Sequence, residues 1–116
     1  RIELHMRQAA ERLTAQFAEP IRIDRLAEQF GYNRSYFSKM FKKVNRVTPV
    51  EFLTSLRTGK ARQMLRERPD LSVEQIACSV GYQDALYFSK QFRKVYGLSP
   101  SEYRKSVLRS AGDGKD

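Results

Sequence analysis

Apolar side chains recur along this chain at the three- and four-residue spacing of an α-helix. At residues 3–17, for example, Met6, Ala10, Leu13 and Phe17 fall on one face of such a helix. We find no convincing alternation of apolar and polar residues with a period of two, the pattern typical of a half-buried strand. The sequence therefore predicts an all-α fold.

Proline and glycine residues divide this helical pattern into seven predicted helices. Pro20 ends the first helix, and Gly31, Gly81 and Gly97 follow three of the others. The predicted helices cover residues 3–17, 24–30, 34–45, 49–67, 73–80, 84–96 and 100–108. The last segment, SAGDGKD at residues 110–116, is predicted to be a disordered tail.

Two copies of one unit account for most of the chain. Residues 21–32, IRIDRLAEQFGY, align with residues 71–82, LSVEQIACSVGY, at an offset of 50. Residues 36–52, YFSKMFKKVNRVTPVEF, align with residues 87–103, YFSKQFRKVYGLSPSEY, at an offset of 51. Each copy predicts a short helix, a turn with glycine and a longer helix, which is a helix-turn-helix pattern. The extra residue of the second copy is expected in its turn or at the start of its longer helix.

Both copies close with a capping box, in which a hydroxyl residue and a Glu bond to each other's backbone N–H groups. Thr48 and Glu51 are the first pair, and Ser99 and Glu102 are the second. These boundaries predict a first helix-turn-helix unit with its N-terminal helix at 1–47, a connecting helix at 48–70, a second unit at 71–109 and a tail at 110–116.

The longer helix of the first unit separates apolar from basic side chains. Its predicted core face holds Phe37, Met40, Phe41 and Val44. Its opposite face holds Ser35, Ser38, Lys39, Lys42 and Arg46, and residues 33–46 contain no acidic residue. Because a helix selected only for solubility mixes both signs of charge, this face is typical of a helix that enters the major groove of DNA.

The equivalent helix of the second unit presents a different outward face. Its predicted core side is Phe88, Gln91, Phe92 and Val95, and its outward side is Leu86, Ser89, Lys90 and Arg93. Lys and Ser can hydrogen-bond to base edges, whereas Leu86 can only contact a thymine methyl group or, alternatively, a neighbouring loop. Positions near the helix N-terminus should reach bases, and more distant cations should meet phosphates. The two copies are therefore predicted to read different bases.

The overall charge favours an anionic partner. The 116 residues include 22 Lys and Arg against 13 Asp and Glu, a formal net charge of +9, and 41% are hydrophobic, enough for a folded domain. Nucleic acid is the first candidate, and an anionic membrane surface or a merely basic soluble protein are alternatives. A membrane-surface helix is less well supported because the first helix mixes acidic and basic residues. RNA binding would need exposed stacking aromatics, which this pattern assigns to the core.

Residues suited to catalysis are few. His5 is the sole histidine and Cys78 the sole cysteine, and Cys78 is expected to be a small buried hydrophobe. The sequence has no glycine-rich phosphate loop, metal-ligand spacing or catalytic triad, so we expect neither an enzyme nor a cofactor or metal. It also has no apolar run of 18 residues and no signal peptide, from which we expect a cytoplasmic location without membrane association.

The segment IACSVGYQDALYFSKQFRKVYGLSPSEYRK, at residues 76–105, resembles the signature of AraC/XylS-type bacterial transcription regulators. The resemblance covers residues 5–106 and implies seven helices, with two helix-turn-helix units joined by a long helix and bound to successive major grooves. The motif residues that carry it are Ile76, Ala77, Gly81, Tyr82, Asp84, Tyr87, Phe88, Ser89, Lys90, Phe92, Gly97, Ser99 and Pro100.

The same resemblance places base-contacting positions on both longer helices. These positions are Arg34, Ser35, Ser38, Lys39, Ala85, Leu86, Ser89 and Lys90. Charge assigns phosphate contacts to Lys42, Lys43, Arg46, Arg93 and Lys94. Lysine stands at 39 and 90 where the family often has arginine, and it offers a point charge in place of a bidentate fork. Asp84 is expected to be a helix cap, and Ala85 offers little for base recognition.

The sequence thus predicts a sequence-specific double-stranded DNA-binding domain of a bacterial transcription regulator. RNA polymerase is a further expected partner, and the isolated domain is expected to be monomeric. The chain begins at Arg1 and contains no effector or receiver domain, so we expect it to be a fragment of a longer regulator. The alternative is a helical-repeat protein-interaction module with a basic surface.

Overall fold

The computed structural model describes the backbone of residues 1–113 and the side chains of residues 1–111. The described residues form seven α-helices and no strand, which confirms the all-α prediction. The helices are α1 (Ile2–Gln16), α2 (Ile23–Gln29), α3 (Arg34–Asn45), α4 (Pro49–Glu67), α5 (Val73–Ser79), α6 (Ala85–Tyr96) and α7 (Pro100–Asp113).

Six of the seven observed helices begin and end within one residue of the predicted bounds. The exception is α7, which continues to Asp113 where the pattern predicts an end at residue 108. Gly112 lies inside this helix, and a single glycine lowers helix stability by about 1 kcal/mol without ending the helix. Part of the predicted tail, residues 114–116, lies outside the described residues.

The chain divides into two compact units, Arg1–Leu56 and a second that begins at Arg57. The boundary falls inside α4, which continues through it as one helix. The first turns of α4 belong to the first unit because Leu53 is buried in its core cluster and Phe52 packs against that cluster. The division at 1–47, 48–70 and 71–109 stays a prediction about repeat boundaries.

In the first unit, α1, α2, α3 and the start of α4 enclose the core. The rings of Phe37 and Phe41 are completely buried, with centroids 5.8 Å apart. Phe52 of α4 meets Phe41 edge-on at 5.6 Å, and Met6 of α1 is buried in the same cluster. These contacts hold the apolar side of α3 inward.

The second unit repeats this arrangement with its own phenylalanine pair. Phe88 and Phe92 are completely buried, and their ring centroids lie 5.8 Å apart. Tyr82 meets Phe88 at 5.4 Å, and Tyr103 of α7 meets Phe92 at 5.9 Å. The predicted core position Val95 is wrong, because its side chain is 44% exposed. Helical spacing gives the direction of a side chain, but not how far the core extends beneath the last turn.

Both predicted capping boxes are present. The backbone N–H of Thr48 donates to Glu51 Oε1 at 2.9 Å, and the N–H of Glu51 donates to Thr48 Oγ1 at 3.1 Å. Ser99 and Glu102 make the same two bonds at 2.9 and 3.1 Å. The N–H of Ser99 holds the pKa of the Glu102 carboxyl below its usual range. The resulting stabilisation is therefore present above the unfolded pKa and is lost as the pH falls through the folded value.

A third capping box begins α5. The N–H of Ser72 donates to Gln75 Oε1 at 2.8 Å, and the N–H of Gln75 donates to Ser72 Oγ at 3.0 Å. The Ser-x-x-Gln pattern is the sequence signal of this box, which was not among the predicted caps.

Arg104 ties α7 to the C-terminal end of α4. Its guanidinium donates to the backbone carbonyls of Leu65 at 3.2 Å, Arg68 at 3.0 Å and Leu71 at 2.8 Å. Leu65 lies in the last turn of α4, where carbonyls lack partners within the helix, whereas Arg68 and Leu71 lie in the turn that follows α4. The carbonyl of Arg68 also accepts from the N–H of Leu71 at 3.1 Å, so Arg104 is a second donor to it. The repeat gives no hint of this role, because Leu53 occupies the equivalent position in the first unit.

Replacing Arg104 with Ala should destabilise the second unit by about 3 kcal/mol, because hydrogen bonds from a charged group contribute about 1.5–3 kcal/mol and three carbonyls lose their bond to the guanidinium. Urea unfolding followed by circular dichroism will measure the loss. Arg109→Ala is the matched control, since Arg109 is an exposed arginine of the same helix and should change stability by less than about 0.5 kcal/mol. Equal shifts in the two variants would contradict the role of Arg104.

Candidate nucleic-acid interface

The longer helices of the two units, α3 and α6, are the ones predicted to enter the major groove, and we call them the recognition helices. They are capped by different side chains. Asn33 precedes α3, and its side chain accepts a hydrogen bond from the N–H of Tyr36 at 2.9 Å. Asp84 precedes α6 and accepts from the N–H groups of Leu86 at 2.9 Å and Tyr87 at 3.3 Å. The predicted cap at Asp84 is confirmed. One recognition helix thus begins at a neutral cap and the other at a carboxylate.

The extra residue of the second copy lies in the turn. In the first copy the cap follows Tyr32 directly, whereas Gln83 separates Tyr82 from Asp84. The helices after the caps keep the same length, 12 residues each, so equivalent positions stay in register. The substitution of Leu86 for Ser35 is therefore a real difference between two matched surfaces.

The predicted base-contacting residues fall into two groups by exposure. The exposed group is Arg34, Ser35, Lys39, Leu86 and Lys90. The half-buried group is Ser38, Ala85 and Ser89. Because the half-buried side chains are short, they can touch a base only where the helix backbone itself comes close. The alternative placement of Leu86 against a loop is wrong, since this side chain is 68% exposed.

The predicted phosphate-contacting residues are exposed and lie towards the C-terminal ends of the recognition helices. They are Lys42, Lys43, Arg46, Arg93 and Lys94. Arg93 Nη1 lies 3.4 Å from Glu102 Oε1, and both side chains are exposed. An exposed ion pair of this kind contributes little, so Arg93 can exchange it for a phosphate.

Arg46 adopts a backbone conformation that normally belongs to glycine. It caps the end of α3 with φ of 76°, and its N–H donates to the carbonyl of Lys42 at 2.8 Å. Gly97 holds the equivalent position after α6 with φ of 82°. The left-handed conformation costs a residue with a side chain about 1–2 kcal/mol. A cation at a strained surface position favours a binding role over a purely structural one.

Two arginines of α4 are engaged within the second unit. The guanidinium of Arg57 lies over the ring of Tyr82 at 5.4 Å, and that of Arg62 lies over Tyr96 at 4.8 Å. Burial lowers the pKa of the partly covered Arg57. Part of the net positive charge is therefore used to cover aromatic rings.

The single histidine belongs to the first unit and the single cysteine to the second. His5 Nδ1 lies 2.7 Å from the hydroxyl of Tyr32, which joins α1 to the turn before α3. Cys78 is exposed, so the prediction that it is buried is wrong. The buried face of α5 is Ile76 and Ala77, and Cys78 follows them on the opposite side of the helix. Among the described residues no helix is long and apolar enough to span a membrane.

A family profile described as "Helix-turn-helix domain" matches residues 26–106, which is more than half of the chain. The chain belongs to the AraC/XylS-type helix-turn-helix family. This match confirms the family resemblance that the motif residues indicated. The matched region contains all of α3, α4, α5 and α6, so both recognition helices of this family member lie inside it.

Relatives of this AraC/XylS-type domain regulate operons. The Msm operon regulatory protein of Streptococcus mutans is 34% identical over 103 residues, which are 89% of this chain and 37% of that protein. The lactose operon transcription activator of Staphylococcus xylosus is 34% identical over 99 residues, 85% of this chain and 35% of that protein. The chain thus spans about a third of the length of these curated relatives.

Solved structures of the same fold include the C-terminal domain of AraT, a response regulator from Geobacillus stearothermophilus. It is 30% identical with a TM-score of 0.82, over 88% of this chain and 84% of that one. The DNA-binding domain of AdpA, solved in complex with a target DNA, also has a TM-score of 0.82 and is 22% identical over 90% of this chain and 94% of that one. The AdpA likeness is a likeness of fold.

Arg46→Gly should stabilise the first unit by about 1 kcal/mol, because glycine adopts the left-handed conformation without the steric cost. If Arg46 contacts phosphate, the same variant should bind duplex DNA more weakly, with a log–log salt slope that is smaller by about one. Thermal unfolding and fluorescence anisotropy titrations at several salt concentrations measure the two effects.

The control for this prediction is Arg46→Ala, which removes the charge and keeps the strained φ. It should match Arg46→Gly in affinity and show no gain in stability. A glycine variant that gains stability but binds DNA like the parent would remove Arg46 from the phosphate-contacting set.

Proposed function

We propose that this chain is the sequence-specific double-stranded DNA-binding domain of a bacterial transcription regulator. The observation that carries the proposal is the duplicated recognition helix, whose core side is locked inward and whose exposed side is basic in both copies. Membership of the AraC/XylS-type family supports it, as do the printed names of the operon regulators that the chain resembles.

The exposed polar residues near the start of each recognition helix supply base recognition. Arg34 and Lys39 donate to guanine O6 and N7, and Ser35 donates or accepts. In the second unit Lys90 holds the place of Lys39, while Ala85 replaces Arg34. The first unit therefore carries more hydrogen-bonding capacity, and its half-site should show the stronger preference for guanine.

The exposed cations later in each helix supply most of the affinity. Lysine and arginine side chains that meet phosphates release counterions from the duplex, which makes binding fall steeply as salt rises. These contacts act on every sequence equally and hold the helices in register. The residues proposed for this role are Lys42, Lys43, Arg46, Arg93 and Lys94.

The two recognition helices are proposed to occupy successive major grooves of one binding site. The continuous helix α4 connects the two units, and 19 residues of α-helix extend about 28 Å.

Selection of bound duplexes from a random pool should return two different half-motifs, whose centres lie about 10 base pairs apart. A single short motif would contradict the two-groove arrangement.

The remaining functions belong to the longer protein that such a domain serves. We propose that an effector or receiver domain elsewhere in that protein controls this domain, and that RNA polymerase is its further partner at a promoter. The domain itself is proposed to be a cytoplasmic monomer without catalytic activity. The description of one relative as a transcription activator supports the proposed contact with RNA polymerase.

Lys39→Ala and Lys42→Ala should have different effects on DNA binding. Lys39→Ala should cost about 1–3 kcal/mol at one guanine of the selected site and flatten the preference there. Lys42→Ala should weaken binding to every sequence alike and reduce the salt slope by about one. Competition titrations against single-base variants of the selected site measure both effects.

A uniform loss in Lys39→Ala would make Lys39 a phosphate contact and overturn its role as a reader. Binding that is absent, or independent of salt, in the parent chain would instead favour the protein-interaction module.

A further inference from the structure

An exposed apolar pair opens the second recognition helix. Leu86 is 68% exposed, the highest value among the large hydrophobic side chains that the structure describes as exposed, and the neighbouring Tyr87 is 53% exposed. Single exposed leucines are ordinary on protein surfaces. An exposed leucine and an exposed tyrosine side by side in the first turn of a recognition helix contribute little to the core, which favours a role at the surface.

The first unit is an internal control for this feature. Ser35 stands at the position equivalent to Leu86, on a helix of the same length with the same buried phenylalanine spacing. Tyr36, equivalent to Tyr87, is 44% exposed. The helix-turn-helix thus folds around a polar residue at this position, and Leu86 is not required by the fold.

The cap of α6 makes its first turn unsuited to phosphate. The N–H groups of Leu86 and Tyr87 already donate to the carboxylate of Asp84, which also places a negative charge at the helix N-terminus. Ala85 adds no cation where the first unit has Arg34. A helix N-terminus attracts phosphate through free N–H groups and its dipole, and the carboxylate of Asp84 opposes both. The contact that the Leu86 side chain can make here is therefore apolar.

Leu86 nevertheless lies on the side of α6 that carries the proposed DNA contacts. Residues four apart on a helix are neighbours, so Leu86 shares an exposed face with Lys90. Tyr87 stands beside it, with its ring 6.0 Å from the ring of the buried Tyr82. With α6 in the major groove as proposed above, a side chain at this place enters the groove beside Lys90.

The major groove of DNA offers one apolar group, the 5-methyl group of thymine. We propose that Leu86, with Tyr87 beside it, forms a binding site for the methyl group of a thymine in the half-site of the second unit. This inference rests on the proposed function. It adds that the two recognition helices contact different chemical groups of the bases. The first turn of α3 offers hydrogen-bonding side chains to the bases, whereas the first turn of α6 offers an apolar surface to a methyl group.

The test replaces individual thymines of the selected site with deoxyuridine, which removes the methyl group alone. The half-site of the second unit can be assigned with an iron chelate attached to Cys78, because this sole cysteine is exposed on α5 and will direct cleavage to adjacent DNA. Burial of a methyl group corresponds to about a fourfold change in affinity. We therefore expect one thymine in that half-site whose replacement weakens binding about fourfold.

The same substitution should have no effect in Leu86→Ala, which should bind thymine and uracil duplexes equally. Leu86→Met, which keeps an apolar side chain of similar volume, should keep the sensitivity. Ser35→Ala, the matched change in the first unit, should keep the same fourfold difference between the thymine and uracil duplexes, whatever its own effect on affinity. Coupling between the leucine side chain and the methyl group is then measured as a double-mutant cycle.

Two results would overturn the inference while the proposed function stands. The first is salt-dependent, sequence-specific binding in which no thymine of the second half-site is sensitive to replacement by uracil. The second is a sensitivity to uracil that persists in Leu86→Ala. Absence of sequence-specific binding by the parent chain would overturn the proposed function and this inference together.

Discussion

Burial of a phenylalanine pair spaced four residues apart is the constraint on which each unit depends. Phe37 and Phe41 in α3, and Phe88 and Phe92 in α6, are completely buried, and both pairs have ring centroids 5.8 Å apart. Two anchors one turn apart fix the rotation of a helix about its axis. Because that rotation is set from the inside, the outward residues can change without changing the fold.

The outward surfaces have diverged while this shared core has not. The one-residue difference between the copies is absorbed at Gln83 in the turn, before the cap and the first helical residue. Asn33 and Asp84 then begin the two helices with different charges, although each satisfies backbone N–H groups of the first turn. A duplicated scaffold thereby presents a basic, hydrogen-bonding helix start in one unit and an apolar one in the other.

Equivalent positions secure the ends of the helices in different ways in the two units. Arg104 satisfies three carbonyls in the second unit, and the equivalent Leu53 is a core residue of the first. Asn45 donates to the carbonyl of Met6 at 3.2 Å, which links α3 to α1 in the first unit. Arg46 keeps a left-handed backbone where the second unit has Gly97. The two copies therefore share one arrangement of helices but differ in the contacts that stabilise the helix ends.

Six of the seven helices could be predicted from spacing to within one residue, as could the caps at Thr48, Ser99 and Asp84 and the inward-facing phenylalanine pair of each recognition helix. Spacing and capping are local properties of the chain. The exposure of Cys78 and Val95 and the three hydrogen bonds of Arg104 depend instead on how the helices pack. Helical periodicity states where a side chain points, whereas burial and long-range hydrogen bonds depend on what another helix places there. That information is not local, and it appears only when the helices pack.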